Sequence, residues 1–260
     1  MEDKAILLPS LAVVEPSKFK NAAADSFFAV FDGHNGVDVA TYASAHFPHC
    51  LLESYAENST EAIMKSAFDA LDKRIDVRCR HETCRSGSTA VCALLRNGRQ
   101  LCIGWCGDSA VAILRAGSVV TLTTSHSPDV PEEASRVEEA GGCMIWIQGE
   151  LRVNGVLNLT RSLGDIDGKP MISSVPDIIC QDLDGGEYLL MLACDGVWDA
   201  FSESEVYAHV EEFIENHKSD EYDRLASYIV SKAKNAGATD NLTLIVVFLR
   251  SPDELWSALT

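Results

Sequence analysis

The chain has 260 residues, 47% of them apolar and 23% charged, an ordinary globular balance with enough length for one large core without disulfides or structural metal. Its formal net charge of −18 repels nucleic acid and anionic lipid and argues against both as partners. Any anionic substrate would need a cation to receive it, and bound metal ions would serve.

In chain order, residues 5–8 (AILL) read as a strand and residues 15–26, with Pro16, Ser17 and Asn21, as a loop. FFAVFD at 27–32 is rich in β-formers and reads as a buried strand. From Asn35 to Ser54, the residues Val39, Tyr42, Ala43, Phe47 and Leu51 recur at helical spacing, and Pro48 is expected to bend or end that helix. A clearer helix covers Thr60–Arg80, with Ile63, Ala67, Ala70, Leu71 and Ile75 on one stripe and Ser59 or Thr60 as its cap. Residues 87–123 read as an antiparallel meander, with Asn97-Gly98 as a hairpin turn. PEEASRVEEA at 131–140 is a short helix that Gly141-Gly142 stops. EYLLMLACD at 187–195 is a buried strand, helices follow at about 203–217 and 221–235, and NLTLIVVFL at 241–249 closes the chain as a central strand. Runs of strands and runs of helices argue for an α+β fold, in which two antiparallel sheets pack face to face with helices outside.

Nine cysteines occur, with Cys92, Cys102, Cys106 and Cys194 in strand-like runs and no Cys-x-x-Cys pair. They read as reduced, buried thiols of a cytoplasmic or nuclear protein. Glu2, Asp3 and Lys4 precede a short apolar run broken by Pro9, unlike a signal peptide, and no window is apolar enough for a membrane span. The tryptophans and the Phe213-Ile214 stripe read as core, and Glu132-Glu133 and Glu138-Glu139 as solvated helix faces.

Carboxylates flank strand after strand: Glu2-Asp3, Asp32-Gly33, Gly107-Asp108, Asp195-Gly196 and Asp240-Asn241. One Asp-Gly is an ordinary turn. Five such sites gathered at strand ends would repel one another unless hard cations sat between them, and oxygen ligands select Mg²⁺, Mn²⁺ or Ca²⁺ over zinc. Glycine beside Asp32, Asp108 and Asp195 lets backbone approach, and its carbonyl can ligate. His34 has two readings: a surface or hydrogen-bonded histidine, the commoner case at a strand end, or, beside a metal-ligating Asp32, an imidazole that could protonate a leaving oxygen.

With MED at 1–3, FFAVFDGHNG at 27–36, RSGSTAV at 85–91, GDS at 107–109, RVNGVLNLTRSLGD at 152–165, LACDGVWD at 192–199 and TDNLTLIVV at 239–247, the chain resembles metal-dependent type 2C serine/threonine phosphatases, the PPM family. The wording is most similar to the Ca²⁺/calmodulin-dependent protein kinase phosphatase branch. The resemblance runs from end to end and implies one catalytic domain over 1–260, an α/β-sandwich with a dinuclear Mg²⁺ or Mn²⁺ centre. It places metal ligands at Glu2, Asp32, Gly33 (through its carbonyl), Asp195 and Asp240, with Asp108 serving a weaker third ion. It makes His34 the general acid and Asn241 a water-orienting residue. The implied reaction is hydrolysis of phosphoserine or phosphothreonine in proteins by a metal-activated water, without a phosphoenzyme. Implied partners are phosphorylated proteins, protein kinases among them, met by a monomer.

The family also carries a phosphate-gripping arginine a few residues before the acidic motif. This sequence starts at Met1, so the beginning of the first strand is expected to be missing along with that arginine. Arg161 is the candidate substitute. Two readings stand: an active phosphatase, or a phosphatase-fold binding or regulatory domain that is catalytically weak or inactive. Asn35 stands where the family usually has Gly or Ala, and Asn tolerates the positive φ that this turn would require.

Overall fold

The computed structural model describes residues 1–19, 25–56 and 59–260. Strand β1 (Lys4–Leu8) pairs antiparallel with β2 (Ser26–Phe31). Two short 3₁₀ turns lie at 11–13 and 16–19, inside the stretch that includes the expected loop, and Asn21 lies outside the described residues. Helix α1 (Asp38–Glu53) runs through Pro48 rather than ending there. Pro48 is buried on the same face as Phe47 and Leu51, and that packing offsets one missing N–H. Helix α2 (Thr60–Glu82) is capped by Ser59, whose side chain accepts from the Ala62 N–H.

Strands β3 (Ala90–Arg96) and β4 (Gln100–Cys106) form the expected hairpin, with Asn97 and Gly98 both at positive φ. The expected meander does not continue in one sheet. At Gly107-Asp108-Ser109 the chain crosses to a second sheet, where β5 (Ala110–Arg115) pairs with β6 (Ser118–Thr121). Gly107 has φ of 114°, and a Cβ there would strike the Thr89 side chain 2.7 Å away, so this corner requires glycine.

Helix α3 (Pro131–Glu139) precedes a hairpin that sequence patterning missed, β7 (Met144–Ile147) and β8 (Glu150–Val153), turned by Gln148-Gly149 at positive φ. Strand β9 (Asp177–Asp182), also missed, pairs with β4. Further along are β10 (Glu187–Ala193), a single helical turn at Asp195–Trp198, α4 (Glu203–Asn216), α5 (Leu225–Asn235), β11 (Leu244–Phe248) and α6 (Pro252–Leu259).

The two large sheets run in the orders β1-β2-β3-β4-β9 and β11-β10-β5-β6, antiparallel throughout, and the short segments Gly33–His34, Gly87–Ser88 and Leu163–Gly164 pair in a small antiparallel sheet of their own. Strand β11 is therefore an edge strand, not the expected central one; its apolar character comes from the helix α5 packed beside it. Period-2 alternation divides the strands between layers. Phe27, Ala29 and Phe31 pack with α1 and α2, whereas Phe28 and Val30 face the other sheet. Leu189, Met191 and Ala193 pack with α4 and α5, whereas Leu190 and Leu192 fill the space between sheets. Both faces are buried, which is why these strands read as continuous apolar runs.

Cys102 and Cys180 sit opposite each other across β4 and β9, and their sulfurs are joined. This corrects the expectation of free thiols throughout; the other cysteines are free. The pairing was hidden because β9 had not been recognised. Trp146 is 67% exposed on the β7–β8 hairpin, so it is not core.

Gly104 on β4 faces α2, and a Cβ there would sit 2.8 Å from Met64 and 2.9 Å from Phe68. Gly104→Val is expected to overpack this contact and cost about 1–3 kcal/mol, read as a lowered urea midpoint with an unchanged slope.

Candidate metal centre

Strand register brings the carboxylates to one end of the sandwich. Lys4 pairs with Phe31, so Glu2-Asp3 and Asp32 leave β1 and β2 at the same edge. Ala193 pairs with both Ala110 and Leu244, so Asp195, Asp108 and Asp240 gather at the facing edge of the other sheet. Carboxylate oxygens of Asp32 and Asp195 and the sulfur of Cys194 lie within 4.8 Å of one another.

Asp32 bears the electrostatic cost of this arrangement. Burial first, and then the Asp195 and Asp3 carboxylates, push its carboxyl up to about 9. Burial and Asp195 push Asp108 up to about 7. Burial also raises Asp195, and burial with Asp240 raises Asp199. The side-chain oxygens Asp3 Oδ1 and Asp195 Oδ1 are buried without a hydrogen-bond partner. Unpartnered, mutually repelling carboxylate oxygens in a low-dielectric pocket are a donor set that fits hard divalent cations. The residues present therefore fit the dinuclear centre that the sequence implies.

Glu2 and Asp3 divide their roles. Glu2 Oε1 accepts the Gly36 N–H at 2.8 Å, which ties the first strand to the turn after His34. Asp3 is the acid that acts on Asp32; Thr243 Oγ1 donates to its other oxygen at 2.6 Å. The resemblance implies a metal ligand at Glu2, with Asp3 beside it. Asn241 Oδ1 accepts the Glu2 N–H at 3.2 Å, and the Asn241 N–H donates to Asp240 at 2.6 Å. Asn241 thus joins the entry of β1 to the entry of β11.

A hydroxyl relay locks Asp32 from below. Its N–H donates to Thr89 Oγ1 at 3.2 Å, and Thr89 Oγ1 meets Ser109 Oγ at 2.7 Å. The RSGSTAV and GDS segments were noticed in the sequence without a task for these two residues, and the relay is that task. Gly33 approaches the first strand closely, since a Cβ there would sit 2.8 Å from the Glu2 carbonyl oxygen.

His34 Nε2 lies 2.7 Å from Asp165 Oδ2, which also accepts from Ser162 Oγ. An ionised Asp165 accepts from Nε2, and Nδ1 is then the ring nitrogen with no hydrogen-bond partner among the described residues. Asp165 sits at φ of 44° and was missed as a site residue, although it ends the quoted TRSLGD segment. Asn35 has φ of 55°, as its turn requires.

Arg161 does not serve as a free phosphate grip. Its guanidinium binds Glu133 through Nε (3.0 Å) and Nη2, and Asp177 (2.8 Å) and the Val175 carbonyl (3.0 Å) through Nη1. Glu133 is 5% exposed, not the solvated acid expected. Burial works against its charge, but hydrogen bonds from Arg161, Thr160 and Arg136 prevail and hold it at about 2. His126 joins the same network, accepting the Gly107 N–H on Nδ1 (3.1 Å) and meeting Asp177 through Nε2 (3.2 Å). The network braces the corner that presents Asp108.

Comparison with known proteins agrees with this geometry. The pattern of the family described as Protein phosphatase 2C matches residues 1–242. Protein phosphatase fem-2 of Caenorhabditis elegans is 41% identical over 89% of this chain and 53% of its own length. Mouse protein phosphatase 1F is 38% identical over 98% of this chain and 56% of its own length; for mouse protein phosphatase 1E the figures are 38%, 96% and 33%. A solved structure of a C. elegans sex-determining protein superposes with a TM-score of 0.94 at 38% identity, covering 99% of this chain and 64% of that one. A serine-threonine phosphatase 2C structure from Toxoplasma gondii has a TM-score of 0.80 at 21% identity, over 95% of this chain and 90% of that one, and speaks to fold alone. The chain belongs to the protein phosphatase 2C family. It spans between a third and about half the length of these curated relatives.

Unfolded carboxylates lose their protons near pH 4, whereas Asp32 and Asp108 in the fold keep theirs to about 9 and about 7. The folded chain thus binds more protons across that window, and stability without metal should fall as pH rises through it. Tm of the chelated protein is expected to drop between about pH 5 and about pH 9, and saturating Mn²⁺ or Mg²⁺ should flatten the curve. Separately, a methyl at Gly87 would overlap both Asp165 Oδ2 and His34 Nε2. Gly87→Ala should therefore separate that pair, seen as a shifted His34 ring resonance.

Proposed function

We propose that the chain hydrolyses phosphoserine and phosphothreonine in proteins, using two Mg²⁺ or Mn²⁺ ions and forming no phosphoenzyme. The forced proximity of Asp32 and Asp195, with buried oxygens left over, is the observation that carries this reading. Asp32, Asp195, Asp240 and the Gly33 carbonyl would hold the two ions. Asp108, which lines one cavity with Asp195 and Asp199, would hold a weaker third. When bound, such ions neutralise phosphate charge and activate water for in-line attack.

The protein's own groups supply the rest. None of the described residues lining the two cavities that open onto Asp195 is basic, so phosphate charge falls to the ions. Thr89, Ser109 and Asn241 hold the ligating backbone in place. Asp165 and Ser162 orient His34, which, when protonated on both ring nitrogens, would deliver its Nδ1 proton to the departing serine or threonine oxygen and keep the Nε2 proton on Asp165. Phosphorylated protein kinases are the substrate class that the branch resemblance favours.

A phosphothreonine peptide is expected to be hydrolysed with Mn²⁺ and not with chelator, and Asp195→Asn should remove most turnover; no turnover with either metal would overturn the reading. His34→Ala is expected to slow the peptide by on the order of 10²–10⁴-fold and p-nitrophenyl phosphate far less, because nitrophenolate leaves without a proton. Equal losses on both substrates would remove His34 from the acid role.

A further inference from the structure

A cavity of about 390 Å³ opens beside the His34–Asp165 pair. We propose that it is the subsite for an apolar side chain of the substrate polypeptide, one or two residues from the phosphorylated serine or threonine. The inference rests on the phosphatase reading above and adds the substrate preference.

Position is the first argument. Asp165 and Asn35 form the catalytic end of the cavity. Asp165 is one hydrogen bond of 2.7 Å from His34, and Asn35 follows His34 in the chain. An extended polypeptide advances about 3.3–3.6 Å per residue, so a neighbour of the phosphorylated residue reaches the cavity while its oxygen stays at His34.

Lining is the second. Val153, Val156, Leu157 and Ile172 supply the walls. Val153 and Ile172 belong to a small buried cluster with Val137, which makes those walls firm. Val156 is 64% exposed at the mouth. The turn at Asn154-Gly155, with φ of 51° and 72°, leads the chain from the β7–β8 hairpin round this mouth. Volume and lining are those of an apolar side-chain pocket.

Charge is the third. At the rim, Arg85 and Asp167 lie 3.4 Å apart and balance each other. A second cavity at the same hairpin, about 470 Å³, carries Asp108, Asp129, Glu150, Asp195 and Asp199. An uncharged, apolar group belongs in the first and is not favoured in the second.

The test uses phosphothreonine peptides that differ only in Leu, Ser or Glu at the flanking positions. Wild type with Mn²⁺ should turn over the Leu peptide about tenfold faster in kcat/KM than the Glu peptide, the scale of burying one such side chain. Val156→Glu, an exposed position that spares the fold, should erase or reverse that ratio, and Leu157→Ser should reduce it. A wild-type ratio near one, or a ratio that survives both substitutions, overturns the proposal and leaves the cavity to a small effector or a second protein. If wild type fails even on p-nitrophenyl phosphate, the phosphatase reading is what has failed. The subsite is then decided by fluorescence anisotropy with phosphonate analogues of the same peptides: a Leu-over-Glu preference lost in Val156→Glu supports it, and equal affinities overturn it.

Discussion

Two carboxylates, Asp32 and Asp195, stand within 4.8 Å of each other at the buried ends of strands from different sheets. Like charges at that range in a poorly solvated site oppose the fold. Hydrogen bonds involving Asp32 and the Gly196 backbone offset only part of this at Asp195: burial raises both groups, and one Asp195 oxygen lacks a hydrogen-bond partner. The inter-sheet core, with Val30 and Phe28 on one side and Leu190 and Leu192 on the other, holds the strand ends together against this repulsion. The cost is kept where divalent cations would relieve it, so the strain and the proposed chemistry have the same origin.

The supporting residues are arranged around that constraint. Thr89 and Ser109 tie the exit of β2 to the corner where the chain changes sheets. Asn241 and Thr243 tie the start of the first strand to the start of the last. The partly buried cation Arg161 is spent on Glu133 and Asp177, bracing the corner before Asp108. In a chain of net charge −18, this arginine pairs with the protein's own acids.

Much of the site was legible in the sequence because its residues sit at strand ends, and strand ends are written in short local patterns. FFAVFDGHNG announces a buried strand, a carboxylate and a turn within ten positions. Residues that act by reaching across the fold were not legible. Asp165 and Asp3 look like ordinary turn and terminal acids until pairing places one at His34 and the other at Asp32. Glu133 looked solvated because a helix with four acids is usually outside, and only the three partners around it show otherwise. The hairpin at 144–153 was missed because Gln-Gly is a weak turn signal, although both residues adopt the positive φ that such turns need.

Much of the local order and chemistry followed from the sequence by itself: most of the longer strands and helices, that carboxylates flank the strands, and that oxygen-ligated cations suit them. These depend on periodicity and side-chain type, which neighbours in the chain can express. Tertiary structure alone decided which carboxylates meet, that β4 and β5 part into different sheets at Gly107, that Arg161 turns inward, and that Cys102 faces Cys180. Those outcomes depend on pairing between residues far apart in the chain, and a one-residue change of register would send every one of those side chains to the opposite face.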